Sequence, residues 1–176
     1  MAGNNQAVHQ RLFADDTLSV YSVLDGASVP NLRQKIFEDD PARECLYRGE
    51  LQPDMAEVAP YLIHLQINTP FADWVLQTGW GKHWGIFALS NSDLRTLRRH
   101  FRTLLTVHSP EGKPLLFRYY DPRVLRVYLP TCNTEELAAI FGPIDSYLLE
   151  DEDPLVLLRY RFASGSLIQE RFPLPQ

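Results

Sequence analysis

The sequence predicts an α/β (α+β) fold: a single domain with a mixed β-sheet flanked by helices, its strands antiparallel toward the C-terminus. Helix and strand signals alternate through the first two-thirds of the chain, and strand signals dominate the remainder. The 176 residues are 45% hydrophobic and 11% aromatic, enough to bury one core and to exclude a disordered or low-complexity chain. Alternating elements favour a layered sheet, and consecutive strands favour antiparallel hairpins.

Residues 1–16 are polar and read as a loose tail, from which Leu12 and Phe13 can dock. Residues 17–150 are expected to form the core domain, and 151–176 a short strand pair belonging to it. The first strand is expected over Leu18–Leu24, where Leu18, Val20 and Ser22 alternate with Ser19, Tyr21 and Val23, and Asp25-Gly26 ends it. A helix over Pro30–Phe37 follows, with Leu32, Ile36 and Phe37 inward. Cys45–Leu51 is weakly patterned, Pro53–Val58 reads as one helical turn, and Tyr61–Leu65, opened by Pro60, as a buried strand.

Thr69 as N-cap, Pro70 at the first helical position and Gly79 past the end define the next helix, with Phe71, Trp74, Val75 and Thr78 on its apolar face. Strand Trp84–Leu89 and a capped helix from Ser92 to about Leu104 come next. Leu105–His108 and Leu115–Tyr120 flank Ser109-Pro110-Glu111-Gly112-Lys113-Pro114, which reads as a hairpin loop. Asp121-Pro122 caps a short helix through Tyr128. Asn133 with Glu136 forms a capping box for a helix to Phe141, closed by Gly142-Pro143. The last strands are expected over Ile144–Leu149, Leu155–Phe162 and Ser166–Phe172. Most of the 13 prolines fall where an element starts or stops.

The 17 basic and 22 acidic residues leave a formal charge of −5, which argues against a dedicated nucleic-acid binder. Two distant cysteines, Cys45 and Cys132, make neither a disulfide framework nor a zinc pattern and fit a reducing compartment. The N-terminus lacks the basic-then-apolar order of a signal peptide, and no apolar run approaches the roughly 18 residues of a membrane span. A cytoplasmic protein is expected.

Three segments invite a functional reading. Gly79-Trp80-Gly81-Lys82-His83-Trp84-Gly85 resembles a phosphate loop only superficially, because it leaves a helix and enters a strand, aiming the wrong amides at an anion. A Walker A loop also needs Ser or Thr where His83 stands. The segment reads as a glycine-rich connection, with a surface role open to Trp80 and Lys82. The helix from Ser92 clusters Leu94, Leu97, Phe101 and Leu104 on one side and Arg95, Arg98, Arg99 and Arg102 on another, a solvated basic face or a dock for an acidic partner. Arg118, Tyr119 and Arg123, around the Asp121-Pro122 corner, form an Arg-plus-aromatic patch of the type enriched in binding hot spots if exposed. The candidate partner-binding residues are therefore Trp80, Lys82, Arg95, Arg98, Arg102, Arg118, Tyr119 and Arg123. Glu150-Asp151-Glu152-Asp153 reads as a solvated acidic turn between strands, with contact to a basic partner as the alternative.

Nothing points to catalysis. There is no Gly-x-Ser-x-Gly elbow and no His-Glu-x-x-His. His9, His64, His83, His100 and His108 show no ligand spacing, and a Cys45–His64 or Cys132–His83 pair requires assembly in space.

Six segments in order carry a likeness to a known family. They are Tyr21-Ser22-Val23-Leu24-Asp25-Gly26-Ala27; Cys45-Leu46-Tyr47-Arg48-Gly49-Glu50-Leu51 with Val58-Ala59-Pro60-Tyr61-Leu62; Gly79 through Ile86; Leu94-Arg95-Thr96-Leu97-Arg98-Arg99-His100-Phe101; Phe117 through Leu125; and Phe141-Gly142-Pro143. Over roughly residues 18 to 150 the chain resembles the bacterial type VI secretion adaptor family, also called Tap or TEC and long catalogued as a domain of unknown function. The resemblance implies a cytosolic chaperone that holds a toxic effector and delivers it to the VgrG spike without being secreted itself, with no catalysis and no cofactor. His83 departs from the small polar residue expected there. Longer members carry a sizeable C-terminal extension, whereas Leu155 to Gln176 are all that follow here, so contacts made by such an extension are expected to be absent or provided otherwise. The alternatives are an immunity-type protein that caps a toxin and a small Cys-His hydrolase.

Overall fold

Apolar side chains at both parities make residues 19–25 a central strand. In the computed structural model, which describes residues 2–109 and 111–175, β1 (Ser19–Asp25) sends Val20 and Leu24 to one face of a sheet and Tyr21 and Val23 to the other, all buried. Such two-sided burial marks a strand covered by helices on both faces. β1 pairs with β3 (Pro60–Leu65), Val23 opposite Leu62, and with β4 (Gly85–Ser90), Val23 opposite Ile86. Beyond β3 lies the short β2 (Arg43–Cys45). Beyond β4 lie β7 (Ser146–Glu150), β8 (Val156–Ala163) and the outermost β9 (Ser166–Pro173), completing a seven-stranded sheet of order β2-β3-β1-β4-β7-β8-β9.

Every neighbouring pair in this sheet is antiparallel among the described residues, so antiparallel pairing extends beyond the C-terminal strands where it was expected. The connections explain this. After β1 the chain runs out and back through α2 (Leu32–Asp39), β2 and α3 (Pro53–Val58), re-entering at the end it left, with Pro60 opposite Asp25. Likewise β7 begins beside the end of β4, Ser146 opposite Leu89. The last two strands join the same sheet, giving one mixed α/β domain.

Helices cover both faces. α1 (Ala2–Leu12), α2 and α4 (Pro70–Trp74) close the face of Val20, Ile63, Phe87 and Leu148. α5 (Leu94–Leu104), α6 (Pro122–Tyr128) and α7 (Thr134–Phe141) close the face of Tyr21, Leu62, Ile86 and Tyr147. Leu97 and Phe101 of α5 are fully buried, each worth roughly 1.5–3 kcal/mol of transfer free energy. The helix starts follow cap chemistry. Asp93, rather than Ser92, accepts from the Thr96 amide at 2.7 Å, Asp121 accepts from the Arg123 amide at 3.0 Å, and Asn133 and Glu136 exchange both bonds of a capping box.

Several expectations are corrected. The loose tail is α1, whose Val8 and Leu12, four residues apart, are fully buried, while Arg11 lies 4.3 Å over the Phe172 ring; two apolar residues on a polar helix suffice to dock it once a partner surface exists. Phe37 is 84% exposed because Leu32 and Ile36 already fill the inner stripe of α2 and Phe37 lies about 100° round from Ile36. The helix from Pro70 does not end before Gly79 but widens into a π turn, Val75–Gly79, placing Gly79 where a Cβ would sit 2.5 Å from Trp84. The expected strand Leu115–Tyr120 shrinks to β6 (Pro114–Leu116), paired with β5 (Thr106–His108). Consecutive Tyr119 and Tyr120 are both buried in the same cluster, which strand alternation forbids. Glu150 and Asp151 are buried at the end of β7, not solvated. Met1, Pro110 and Gln176, which fall in the expected tail, hairpin loop and C-terminal segment, lie outside the described residues.

Docking of α1 is testable by thermal melts. Leu12→Ala should cost about 2–5 kcal/mol, and Gln10→Ala, at an exposed position of the same helix, less than about 0.5 kcal/mol. Equal and negligible effects would mean that the helix does not hold the core.

Candidate functional site

The candidate residues fall into two groups. The first lies at the sheet end where β1 and β7 finish and β4 starts. Asp25, 2% exposed, closes β1; its carboxylate accepts from the Ala27 amide at 3.1 Å and the Ser28 hydroxyl at 2.7 Å and pairs with the Arg118 guanidinium. Asp121 receives the Arg123 side chain in two bonds of 2.9 and 2.7 Å. Burial alone would raise the Asp121 carboxyl, but the Arg123 bonds and charge outweigh it and hold the group below the usual aspartate value. Tyr119 lies in the core at 1% exposure and donates its hydroxyl to the Phe101 carbonyl at 3.1 Å, which removes it from any partner-binding surface.

The glycine-rich connection lies against the same end. Trp80 donates its indole N–H to the Pro154 carbonyl at 2.8 Å and packs partly on the core. His83 has left-handed backbone (φ 58°) and donates its amide to Glu150 at 3.2 Å; its Nδ1 lies 2.9 Å from the same carboxylate, at ion-pair distance but off the hydrogen-bond direction. Burial pushes the Glu150 carboxyl above its ordinary value, against the pull of these His83 contacts. Gly85 lets β4 approach β1, since a Cβ there would sit 2.1 Å from the Val23 carbonyl oxygen. This segment is a structural stitch between strands, and only Lys82 projects from it, its Nζ 5.6 Å from the Trp84 ring centroid.

The second group is on α5, which packs beside β2. Arg98 pairs with Glu44 at 2.8 Å. Arg102 is spent on backbone: it donates to the carbonyls of Leu46 at 3.1 Å and of Cys45 and Tyr47 at 2.9 Å each, satisfying the chain where it leaves β2. Arg95 and Arg99, on the outward row, are exposed and make no ion pair among the described residues. Where α5 ends, an open groove of about 720 Å³ is lined by Leu46, Leu51, Met55, Leu105 and Leu116, with Arg48 on its rim. Sequence reading missed this groove because its apolar residues come from three segments that carry no periodic signal, and only the positions of α3 and β6 bring them together.

The thiols and histidines do not converge. Cys45 lies against Tyr61 and the Tyr47 backbone, and burial pushes its thiol up. Paired with Tyr61, it is offset along the strands from His64, which stacks on Tyr21 with ring centroids 4.9 Å apart. Cys132 donates to the Tyr128 carbonyl at 3.4 Å and is also pushed up by burial, while His83 is engaged with Glu150. Neither thiol is held as the thiolate a nucleophile needs. Among the described residues no three His, Cys, Asp or Glu side chains are arranged to hold a metal ion, and no helix is long and apolar enough to cross a membrane.

A family model described as a domain of unknown function, DUF4123, matches residues 20–139. The chain belongs to the DUF4123 family. The matched stretch runs from β1 into α7, so it contains the Asp25–Arg118 pair, the glycine-rich connection, α5 and the groove. Neither a curated protein nor a solved structure matches the sequence.

Two stability measurements separate the structural arginines from the free ones. Arg118→Ala strands the buried Asp25 carboxylate and should cost about 1–3 kcal/mol, whereas Arg95→Ala should change stability by less than about 0.5 kcal/mol; equal losses would contradict the assignment. Arg123 lowers the Asp121 carboxyl, so its contribution is present above the usual aspartate value of 3.8 and is lost as pH falls through the lower folded-state value. The gap between wild type and Arg123→Ala, under about 1 kcal/mol because Arg123 is half-exposed, should be full at pH 6–7 and close below about pH 4. A gap that widens on acidification would refute it.

Proposed function

We propose that the protein is an adaptor of a type VI secretion system: it binds a toxic effector in the cytoplasm and promotes its loading onto the VgrG spike, acting by protein–protein binding without catalysis. The observation that carries this reading is the DUF4123 match over residues 20–139, which takes in all but the last of the six segments through which the chain resembles that adaptor family. The surface chemistry supports it. Free arginines lie beside a groove at the end of α5 that mixes leucine and methionine side chains with Arg48, Arg102, Thr103 and Thr106, the combination of charge and apolar anchor on which protein recognition relies. The elevated thiols support a binding role over nucleophilic catalysis.

Co-expression with the effector and the VgrG encoded beside it should yield a complex that survives size-exclusion chromatography. Deleting the protein should abolish secretion of that effector while leaving the producing cell healthy. A clean failure to bind every neighbouring partner, or self-intoxication on deletion, would overturn the adaptor reading; the latter outcome is that of an immunity protein.

A further inference from the structure

The groove at the end of α5 has its own chemistry. Met55 of α3 and Leu116 of β6 are each about half exposed around it, beside buried Leu46 and Leu105. Its volume of about 720 Å³ falls in the range of about 300–1,000 Å³ typical of concave binding sites. Charge is distributed unevenly around it. The chain has 22 acidic and 17 basic residues, and most arginines are neutralised internally, as in Arg33–Glu57, Arg98–Glu44, Arg118–Asp25 and Arg123–Asp121. Arg48, Arg95 and Arg99 are exceptions: all are exposed and none makes an ion pair among the described residues, with the N-cap Asp93 the acid that feels Arg95 and Arg99. Arg95, Arg99 and Thr103 follow one another at four-residue spacing, a row of roughly 12 Å along the helix, and Thr103 lines the groove. The row therefore leads into it.

We infer that this groove takes an amphipathic segment of a partner protein whose polar side is acidic: apolar side chains enter between Leu51, Met55 and Leu116, and carboxylates meet Arg48, Arg95 and Arg99. Charge complementarity selects this occupant. An apolar segment alone would leave three arginines unmatched, and a basic one would be repelled by them. Glu50 and Asp54, exposed in the loop before α3 and at its first turn, are not among the groove's lining residues. The binding mode is that of a helix laid into a groove through anchors at i, i+3, i+4 and i+7. The inference rests on the reading of the chain as a protein-binding adaptor, and the experiment separates the two.

The probe is a dye-labelled peptide of roughly 18 residues with Leu at helical anchor spacing and Glu on the other face, measured against the full chain by fluorescence anisotropy. Two counterparts carry Lys for Glu or Ser for Leu. The acidic amphipathic peptide should bind, and affinity should fall tenfold or more between about 50 and 500 mM salt. Arg95→Glu with Arg99→Glu should weaken it roughly tenfold or more, as should Met55→Ser with Leu116→Ser, both double variants melting within about 3 °C of wild type. Neither counterpart should compete. Absence of binding, equal binding of the Lys peptide, or indifference to both double variants would overturn the inference. So would a wild-type dimer by sedimentation that Met55→Ser with Leu116→Ser dissolves, since a second copy would then fill the groove. An effector complex that forms and keeps its affinity in both variants removes this groove and leaves the adaptor reading. Peptide binding without any effector or VgrG complex does the reverse.

Discussion

A carboxylate at the end of a central strand, with almost no access to water, must be matched or it would unfold the strand that carries it. Asp25 is that group, and what matches it comes from 93 residues further along the chain, the Arg118 guanidinium. Its other acceptor sites are filled locally by the turn it opens, through Ala27 and Ser28. One side chain therefore ends β1, shapes the turn into α2 and ties the segment between β6 and α6 to the sheet end. Tyr119 and Tyr120, next to Arg118, are carried into the core by the same tie. The Arg118 side chain stays partly exposed while Asp25 is buried, so the tie adds little net stability but any register that loses it strands a buried carboxylate.

Much of this fold is written in local chemistry. Pro60, Pro70, Pro122 and Pro143 each mark a corner, and the caps at Thr69, Asp121 and Asn133 start helices where their hydrogen-bonding capacity demands. The helices that these residues start are legible for that reason. α1 is not, because its single apolar stripe of Val8 and Leu12 gains meaning only against the π turn and β9 that it covers. The widening at Val75–Gly79 is invisible for a similar reason: Pro70, Phe71 and Trp74 predict a helix, and only the packing of Gly79 under Trp84 calls for the extra residue.

The candidate surface was legible in its charges and not in their fates. Periodicity placed Arg95, Arg98, Arg99 and Arg102 on one outward stripe of α5, but it says nothing of what lies beside the stripe. β2 lies there, and its Glu44 and the carbonyls that follow it take Arg98 and Arg102 out of solution. The same helix face is thus divided, one row bonded inward and one row left outward. The groove at its end was illegible altogether, since Leu46, Met55 and Leu116 are neighbours only through tertiary structure.

The sheet's two margins differ in how readily they could pair with another chain. At one margin β2 offers three residues, too few to template another chain; at the other, β9 runs for eight with one side of its backbone unpaired in the sheet. A long open margin invites stacking of like molecules. Here Glu170 and Arg171 put opposite charges in mid-strand and Pro173 removes a donor near its end, so a second β9 would have to find a register that reconciles charge with a missing bond.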